Sequence, residues 1–211
     1  LVEEKAFESD VVQSLLRDYL EEIDLFIAQL NVINKITGFN LTRGVLAACK
    51  RPNLPEAGDL LAGARRVAIL EDVMNPTNVG AIFRSAAALG IEAIFLTHPS
   101  ADPFYRRAAR VSMGTVFQVP WTYFIKDSDY MNTLHEAGFS VVSVALKEGA
   151  IPLSAPELKA QEKLAVVFGT ESTGIKDETI AKSDFVSIIP MHNEVDSLNV
   201  AAASAVTFWA L

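Results

Sequence analysis

Val67-Ala68-Ile69-Leu70-Glu71-Asp72-Val73-Met74-Asn75-Pro76-Thr77-Asn78-Val79-Gly80-Ala81-Ile82-Phe83-Arg84 is the stretch on which the fold turns. Its apolar opening, with β-branched Val67 and Ile69, predicts a strand covered on both faces, as in a parallel sheet. A polar, proline-bearing loop leads into residues at helical spacing, predicting a helix over Val79–Leu89 with Arg84 in its second turn. The same unit recurs downstream. Strands are expected at Ile91–Thr97, Val116–Val119, Phe139–Ala145, Leu164–Phe168 and Phe185–Ile189, and helices at Pro103–Val111, Ser128–Ala137, Ile175–Lys182 and Leu198–Leu211. Alternating strands and helices imply an α/β fold with a mostly parallel sheet and helices on both faces.

Upstream of this stretch the chain changes character. Pro52-Asn53-Leu54-Pro55-Glu56-Ala57-Gly58 is dense in chain-breaking residues, so residues 52–63 read as a linker between a piece at 1–51 and a domain at 64–211. In the first piece the pattern predicts strands at Leu1–Lys5, Ile23–Ile27 and Gly44–Cys49. Helices are predicted at Ser9–Glu21 and Asn31–Thr37. So short a segment builds little independent core, and without an initiator methionine an earlier strand and helix are expected to precede it.

Composition removes several classes. Of the 211 residues 50% are hydrophobic, which excludes a disordered chain. No apolar run is long enough to span a bilayer, and no signal peptide is visible at the start. The one cysteine, Cys49, can form neither an internal disulfide nor a zinc site, and a cytoplasmic protein is expected. The net charge of −8 is unevenly spread: residues 25–126 carry 11 basic and 6 acidic side chains. Because screening confines such fields to about 10 Å, a basic middle can bind phosphate on an acidic protein.

In open α/β sheets ligands bind beyond the carboxyl ends of the strands. Three polar loops follow strands here: Glu71–Gly80, Gly169–Gly174 and Pro190–Asn199. No dinucleotide fingerprint, phosphate loop, zinc-protease motif or nucleophile elbow occurs in them. His98, His135 and His192 are scattered, and no metal is expected.

Together the loops resemble the three ordered motifs of the SpoU (TrmH) family of the SPOUT superfamily, the RNA ribose 2′-O-methyltransferases. The first is Asn75-Pro76-Thr77-Asn78-Val79-Gly80-Ala81-Ile82-Phe83-Arg84-Ser85-Ala86. The second is Leu164-Ala165-Val166-Val167-Phe168-Gly169-Thr170-Glu171-Ser172-Thr173-Gly174-Ile175, and the third is Ile188-Ile189-Pro190-Met191 followed by Ser197-Leu198-Asn199-Val200-Ala201. The resemblance covers residues 65–211. A weaker one, at Thr42-Arg43-Gly44-Val45-Leu46-Ala47, is to the end of an L30e-like substrate-binding domain.

The resemblance implies a trefoil knot at the C-terminal end and S-adenosylmethionine as methyl donor. Leu146, Gly169, Ile189, Met191 and Leu198 would hold the donor, the apolar ones forming a slot for adenine and Gly169 admitting close backbone approach. The family's catalytic positions map onto Asn78, Arg84, Glu171, Ser197 and Asn199. Arginine is a poor base, so Arg84 is expected to clamp a phosphate and stabilise the developing alkoxide. Glu171 is expected to orient Asn78 or Arg84, and Ser197 to cap the final helix. Asn199, two residues into an apolar helix, is expected to face a ligand.

Arg106, Arg107 and Arg110 fall at helical spacing and are expected to touch RNA phosphates together with Arg84; Lys50, Arg51, Arg65 and Arg66 would extend the path. The last segment is apolar on nearly every face, as a helix covered on several sides must be. The family dimerises there, so a homodimer through the knot region is expected. Two departures stand out: Asn75 replaces a common acidic residue and Thr77 a small one. The substrate expected is ribosomal RNA, the alternatives being transfer RNA or an inactive RNA-binding relative, with no membrane partner.

Overall fold

The structure is a computed structural model that describes residues 1–170, 172–193 and 197–211. The chain forms two compact units, Leu1–Asn53 and Leu54–Leu211.

The first unit runs β1 (Val2–Glu3), α1 (Glu4–Phe7), α2 (Asp10–Leu16), β2 (Ile27–Ala28) and α3 (Leu30–Thr37). β1 and β2 pair in parallel, with Val2 opposite Ile27. Its buried side chains are few, chiefly Val2, Val12 and Ile33. Ser9 caps α2 by accepting from the Val12 amide. The helix expected to reach Glu21 stops at Leu16, because Asp18, Glu21 and Glu22 would set three negative charges at the negative end of its dipole. Of the strand expected at Gly44–Cys49 only one antiparallel bridge forms, between Val45 and Val2.

The second unit opens with α4 (Ala57–Gly63), which occupies most of the stretch read as a linker. Leu61 and Ala64 are buried there against the sheet, so the proline-rich entry precedes a helix rather than a free tether. Then follow β3 (Arg66–Leu70), α5 (Pro76–Ala88), β4 (Ala93–Leu96) and α6 (Arg106–Val111). A single 3-10 turn (Thr115–Phe117), β5 (Trp121–Tyr123), α7 (Tyr130–Glu136) and β6 (Ser140–Val144) continue the chain. The last elements are β7 (Ile151–Pro152), α8 (Pro156–Lys159), β8 (Leu164–Phe168), α9 (Asp177–Lys182), β9 (Phe185–Ile188) and α10 (Val200–Ala210).

Among the described residues seven strands form one sheet in the order β5-β4-β3-β8-β6-β9-β7, and every pairing in it is parallel. Alternation along β3 explains its unbroken apolarity. Ala68 and Leu70 enter the core beneath α5, α6 and α10, whereas Val67 and Ile69 enter the core beneath α4 and α7. The strand expected at Val116–Val119 is displaced to Trp121–Tyr123. Gly114 turns with φ +90° and Pro120 has no N–H to donate, so Val116 reaches the core from the 3-10 turn and Val119 from the residues just after it. The Trp121 indole N–H, donating to the Val116 carbonyl at 3.2 Å, locks that turn to the strand.

The winding gathers the site. After β6 the chain leaves one strand position open, forms β7, returns to lay β8 between β3 and β6, and fills the open position with β9. The C-terminal ends of β6, β8 and β9 thereby come to one edge, with the start of α10 beside them.

Candidate ligand pocket and catalytic edge

A cavity of about 620 Å³ lies at that edge. Val144 at the end of β6 with Ala145 and Leu146 after it, Phe168 at the end of β8 with Gly169 and Thr170 after it, Thr173–Ile175, and Ser197–Val200 at the start of α10 line it. A smaller cavity of about 120 Å³ shares Leu146, Ser197 and Leu198, and adds Ile189 and Met191 from beyond β9. All five expected donor-binding residues therefore stand around two adjoining spaces. Leu146 and Leu198 are apolar yet 66% and 39% exposed, leaving two uncovered aliphatic walls suited to a flat apolar group.

Gly169 is also pressed upon by its own chain. A Cβ there would lie 2.2 Å from the carbonyl carbon and oxygen of Gly174 and 2.4 Å from the Ile175 nitrogen. The missing side chain admits the chain's own backbone, while Gly169 itself lines the larger cavity. It closes a turn in which the Thr170 and Gly174 amides donate to each other's carbonyls at 3.2 and 2.9 Å, and that turn forms one wall. Glu171 lies within it but outside the described residues.

The polar centre joins the first motif to the third. Asn78, in the first turn of α5, is buried at 5% exposure. The Asn199 side-chain amide donates to its Oδ1 at 3.2 Å, across 121 residues of sequence. Asn199 is also the N-cap of α10, accepting from the Ala201 amide at 3.0 Å. It does not lie inside the helix, and Ser197, expected as the cap, is instead an exposed residue on the cavity wall. Capping alone accounts for an asparagine at 199; its second bond aims the same side chain at the pocket's edge.

Gly80 explains how α5 is seated. A Cβ there would come 2.4 Å from the Ala108 carbonyl and 3.0 Å from Val111, so only glycine lets α6 press against α5. This contact sets exposed Arg106, Arg107 and Arg110 of α6 beside the helix that carries exposed Arg84. Arg84 lines neither cavity. Arg66 is not available to such a path: it begins β3, at the end of the sheet opposite the pocket, and its guanidinium donates to the carbonyls of Arg65, Gln161 and Glu162. Arg65 stands at that same end.

Sequence reading missed Thr170, Thr173, Ile175, Asp177 and Lys147 as wall residues. The Lys147 ammonium meets Asp177 at 3.2 Å, an exposed pair that joins the β6 loop to α9. The spacing of neither residue announces this. Among the described residues no group of three or more His, Cys, Asp or Glu is placed to hold a metal ion, and no helix is long and apolar enough to cross a membrane.

Comparison with known proteins adds a family. The model of the SpoU rRNA Methylase family matches residues 65–209. An uncharacterized tRNA/rRNA methyltransferase of Mycobacterium bovis is 40% identical over 185 residues, which are 86% of this chain and 64% of that protein. The chain thus spans under two thirds of that relative's length. The 23S rRNA (guanosine(2553)-2′-O)-methyltransferase RlmP of Bacillus subtilis is 28% identical, with 100% of this chain and 85% of that protein covered. Among solved structures, the SpoU methyltransferase AviRb of Streptomyces viridochromogenes, in complex with the cofactor AdoMet, superposes with a TM-score of 0.83 at 18% identity. That match covers 99% of this chain and 79% of the other.

Proposed function

The chain belongs to the SpoU rRNA Methylase family, and from that premise we propose that it methylates a ribose 2′-hydroxyl of RNA with S-adenosylmethionine as donor. The observation that carries this is the meeting of Leu146, Ile189, Met191 and Leu198 around adjoining cavities at one sheet edge. The exposed faces of Leu146 and Leu198 and the half-buried Ile189 and Met191 suit adenine. The hydroxyls of Thr170, Thr173 and Ser197 on the same wall suit its ribose and amino-acid parts. When bound, the donor supplies a methyl group on a positively charged sulfur, which a hydroxyl oxygen in line with it can accept.

This chain's own residues then orient and charge-balance the acceptor. Asn199 lines the pocket and is held there by its helix cap and its bond to buried Asn78, through which the first motif supports the rim. Arg84 clamps the phosphate next to the reacting ribose and stabilises the oxygen as its proton passes to solvent water; Glu171 and Ser197 complete the set. Exposed Arg106, Arg107 and Arg110 hold the flanking backbone, where salt-dependent phosphate contacts supply most of the affinity. Ribosomal RNA is favoured over transfer RNA, in line with the name of the B. subtilis relative. Residues 1–51 are assigned as part of an L30e-like RNA-binding domain, 64–211 as the methyltransferase domain, and its C-terminal strands and helix as a trefoil knot. The unpaired Cys49 accords with a reducing, cytoplasmic setting.

The protein is further proposed to be a homodimer through α10. That helix buries Val200, Ser204, Thr207 and Phe208, yet Trp209 is 81% exposed and Val206 43%. Sedimentation at micromolar concentration is expected to give twice the chain mass; a monomer would refute the dimer.

Calorimetric titration with S-adenosylhomocysteine tests the function, on wild type and on Leu146→Glu, which puts a charge on the apolar wall. Micromolar binding that the substitution abolishes is expected, with methyl transfer into ribosomal RNA. Label entering only transfer RNA would move the substrate assignment. Binding without transfer to either RNA would indicate an inactive relative, and a folded wild type that binds nothing would end the proposal.

A further inference from the structure

Residues 174–182 are shared between two cavities. Gly174, Ile175, Asp177 and Ile180 face the pocket described above, whereas Lys176, Glu178, Thr179 and Lys182 line a second space of about 430 Å³. Glu71, the first residue after β3, lines that second space and is 1% exposed. A carboxylate so deeply buried is tolerated only when its oxygens are satisfied. Three donors satisfy it, and two belong to the shared segment. The Lys176 backbone N–H donates to Oε1 at 2.7 Å, and the Thr179 hydroxyl to Oε2 at 2.6 Å. The third is the Tyr130 hydroxyl, on α7. Burial first, and then the neighbouring Glu71 carboxylate, push that hydroxyl's ionisation well above its ordinary value; it stays a donor. Glu71 is itself fixed, since its amide donates to the Phe168 carbonyl at 2.8 Å. Beside it the Asp72 carboxylate pairs with the Lys176 ammonium at 2.9 Å.

Glu71 lines neither of the two adjoining cavities, so the proposed chemistry leaves it unused. Its bonds nevertheless end on the wall of that pocket: Ile175 and Asp177 flank the amide it holds, and Ile180 follows the hydroxyl it holds. We propose that Glu71 is a positioning residue which, through the Lys176 amide and the Thr179 hydroxyl, clamps the Gly174–Ile180 wall at the height the ligand requires. The proposal rests on the pocket being the donor site. The wall begins in the exposed residues Ser172–Gly174; Ile175 and Ile180 anchor it to the core beneath α4 and α7, and the clamp fixes the polar side of the same segment.

The test compares Glu71→Gln, Thr179→Val and Thr179→Ser in the full chain. Three quantities are read: affinity for S-adenosylhomocysteine, thermal midpoint, and amide hydrogen exchange of residues 170–180. Glutamine keeps the shape but turns one acceptor into a donor, and valine deletes the Thr179 hydroxyl without changing its bulk. Both are expected to weaken S-adenosylhomocysteine about tenfold, the scale of one charge-assisted bond lost, with faster exchange confined to 170–180. Thr179→Ser, which keeps the hydroxyl, is expected to restore both. Lowered thermal midpoints with affinity and local exchange unchanged would overturn the clamp and leave Glu71 a purely structural group. If Glu71→Gln does not fold, the Thr179 pair decides alone. If wild type fails to bind S-adenosylhomocysteine, the donor-site assignment falls, whereas exchange at 170–180 still decides whether Glu71 holds that segment.

Discussion

Gly169→Ala isolates what the turn after β8 contributes. The φ of Gly169 lies outside the left-handed region, so alanine meets no backbone strain and the cost is steric. Its Cβ would sit 2.2 Å from Gly174, and ordinary contact begins at 3.4 Å, so the far side of the turn must retreat by about 1.2 Å. The turn is closed by two amide–carbonyl bonds of 3.2 and 2.9 Å, which a displacement of that size breaks. At about 0.5–1.5 kcal/mol each, the closed turn loses about 1–3 kcal/mol. Thr173 and Gly174 are exposed, so water satisfies the groups released there; Ile175, whose nitrogen the Cβ would also meet at 2.4 Å, is buried, so a modest fall of the thermal midpoint accompanies the loss. A ligand that requires the closed turn must restore it, and its affinity falls by about 5- to 150-fold. The assay is calorimetric titration with S-adenosylhomocysteine beside a thermal melt of the same sample. Affinity within twofold of wild type would refute the reasoning, for it would mean the ligand does not use the closed turn. A collapse of the melt would refute it differently, by showing the turn to be part of the core.

Other substitutions probe the frame around the pocket. Gly80→Ala drives a methyl into the Ala108 carbonyl at 2.4 Å inside the buried α5–α6 contact; here no water relieves the clash. It should lower stability by about 1–3 kcal/mol in urea unfolding, and an unchanged midpoint would contradict the packing. Asn199→Ala removes both the cap on Ala201 and the donor to Asn78, and should cost about 1–3 kcal/mol. Asn199→Asp keeps the acceptor for the cap but cannot donate, so it should recover only part of that loss; full recovery would mean the Asn78 bond contributes nothing. The Glu92 carboxyl is held below its ordinary range by the backbone N–H groups of Arg65, then Arg66. It adds stability that is present above the unfolded-state value and is lost as pH falls through the depressed folded-state value. Unfolding midpoints between about pH 6 and about pH 3 should fall less steeply in Glu92→Gln than in wild type, and parallel curves would remove Glu92 from the account.

What was legible in the chain divides along a physical line. β3 and β8 were readable because both faces of a central parallel strand are buried, so apolarity runs unbroken from Val67 to Leu70 and from Leu164 to Phe168. Burial by itself does not separate a strand from a turn, which is why Val116 and Val119 misled: both are buried, but Gly114 and Pro120 on either side forbid a ladder there. The position of the pocket followed from the strand ends, whereas the job of each polar or small residue did not. Gly169 and Gly174 are spaced as a ligand loop would be, yet Gly169 makes room for Gly174 itself. Asn199 satisfies two demands at once, the α10 cap and the bond to Asn78, and only the first is local enough to be written in spacing. Glu71 is the sharper case, because its partners Lys176 and Thr179 lie 105 and 108 residues away. One carboxylate after an apolar strand carries no mark that it will be buried. It becomes distinctive only when β8 pairs beside β3 and brings the segment beyond Gly174 over it, so its role arises from the winding of the sheet rather than from any motif in the chain.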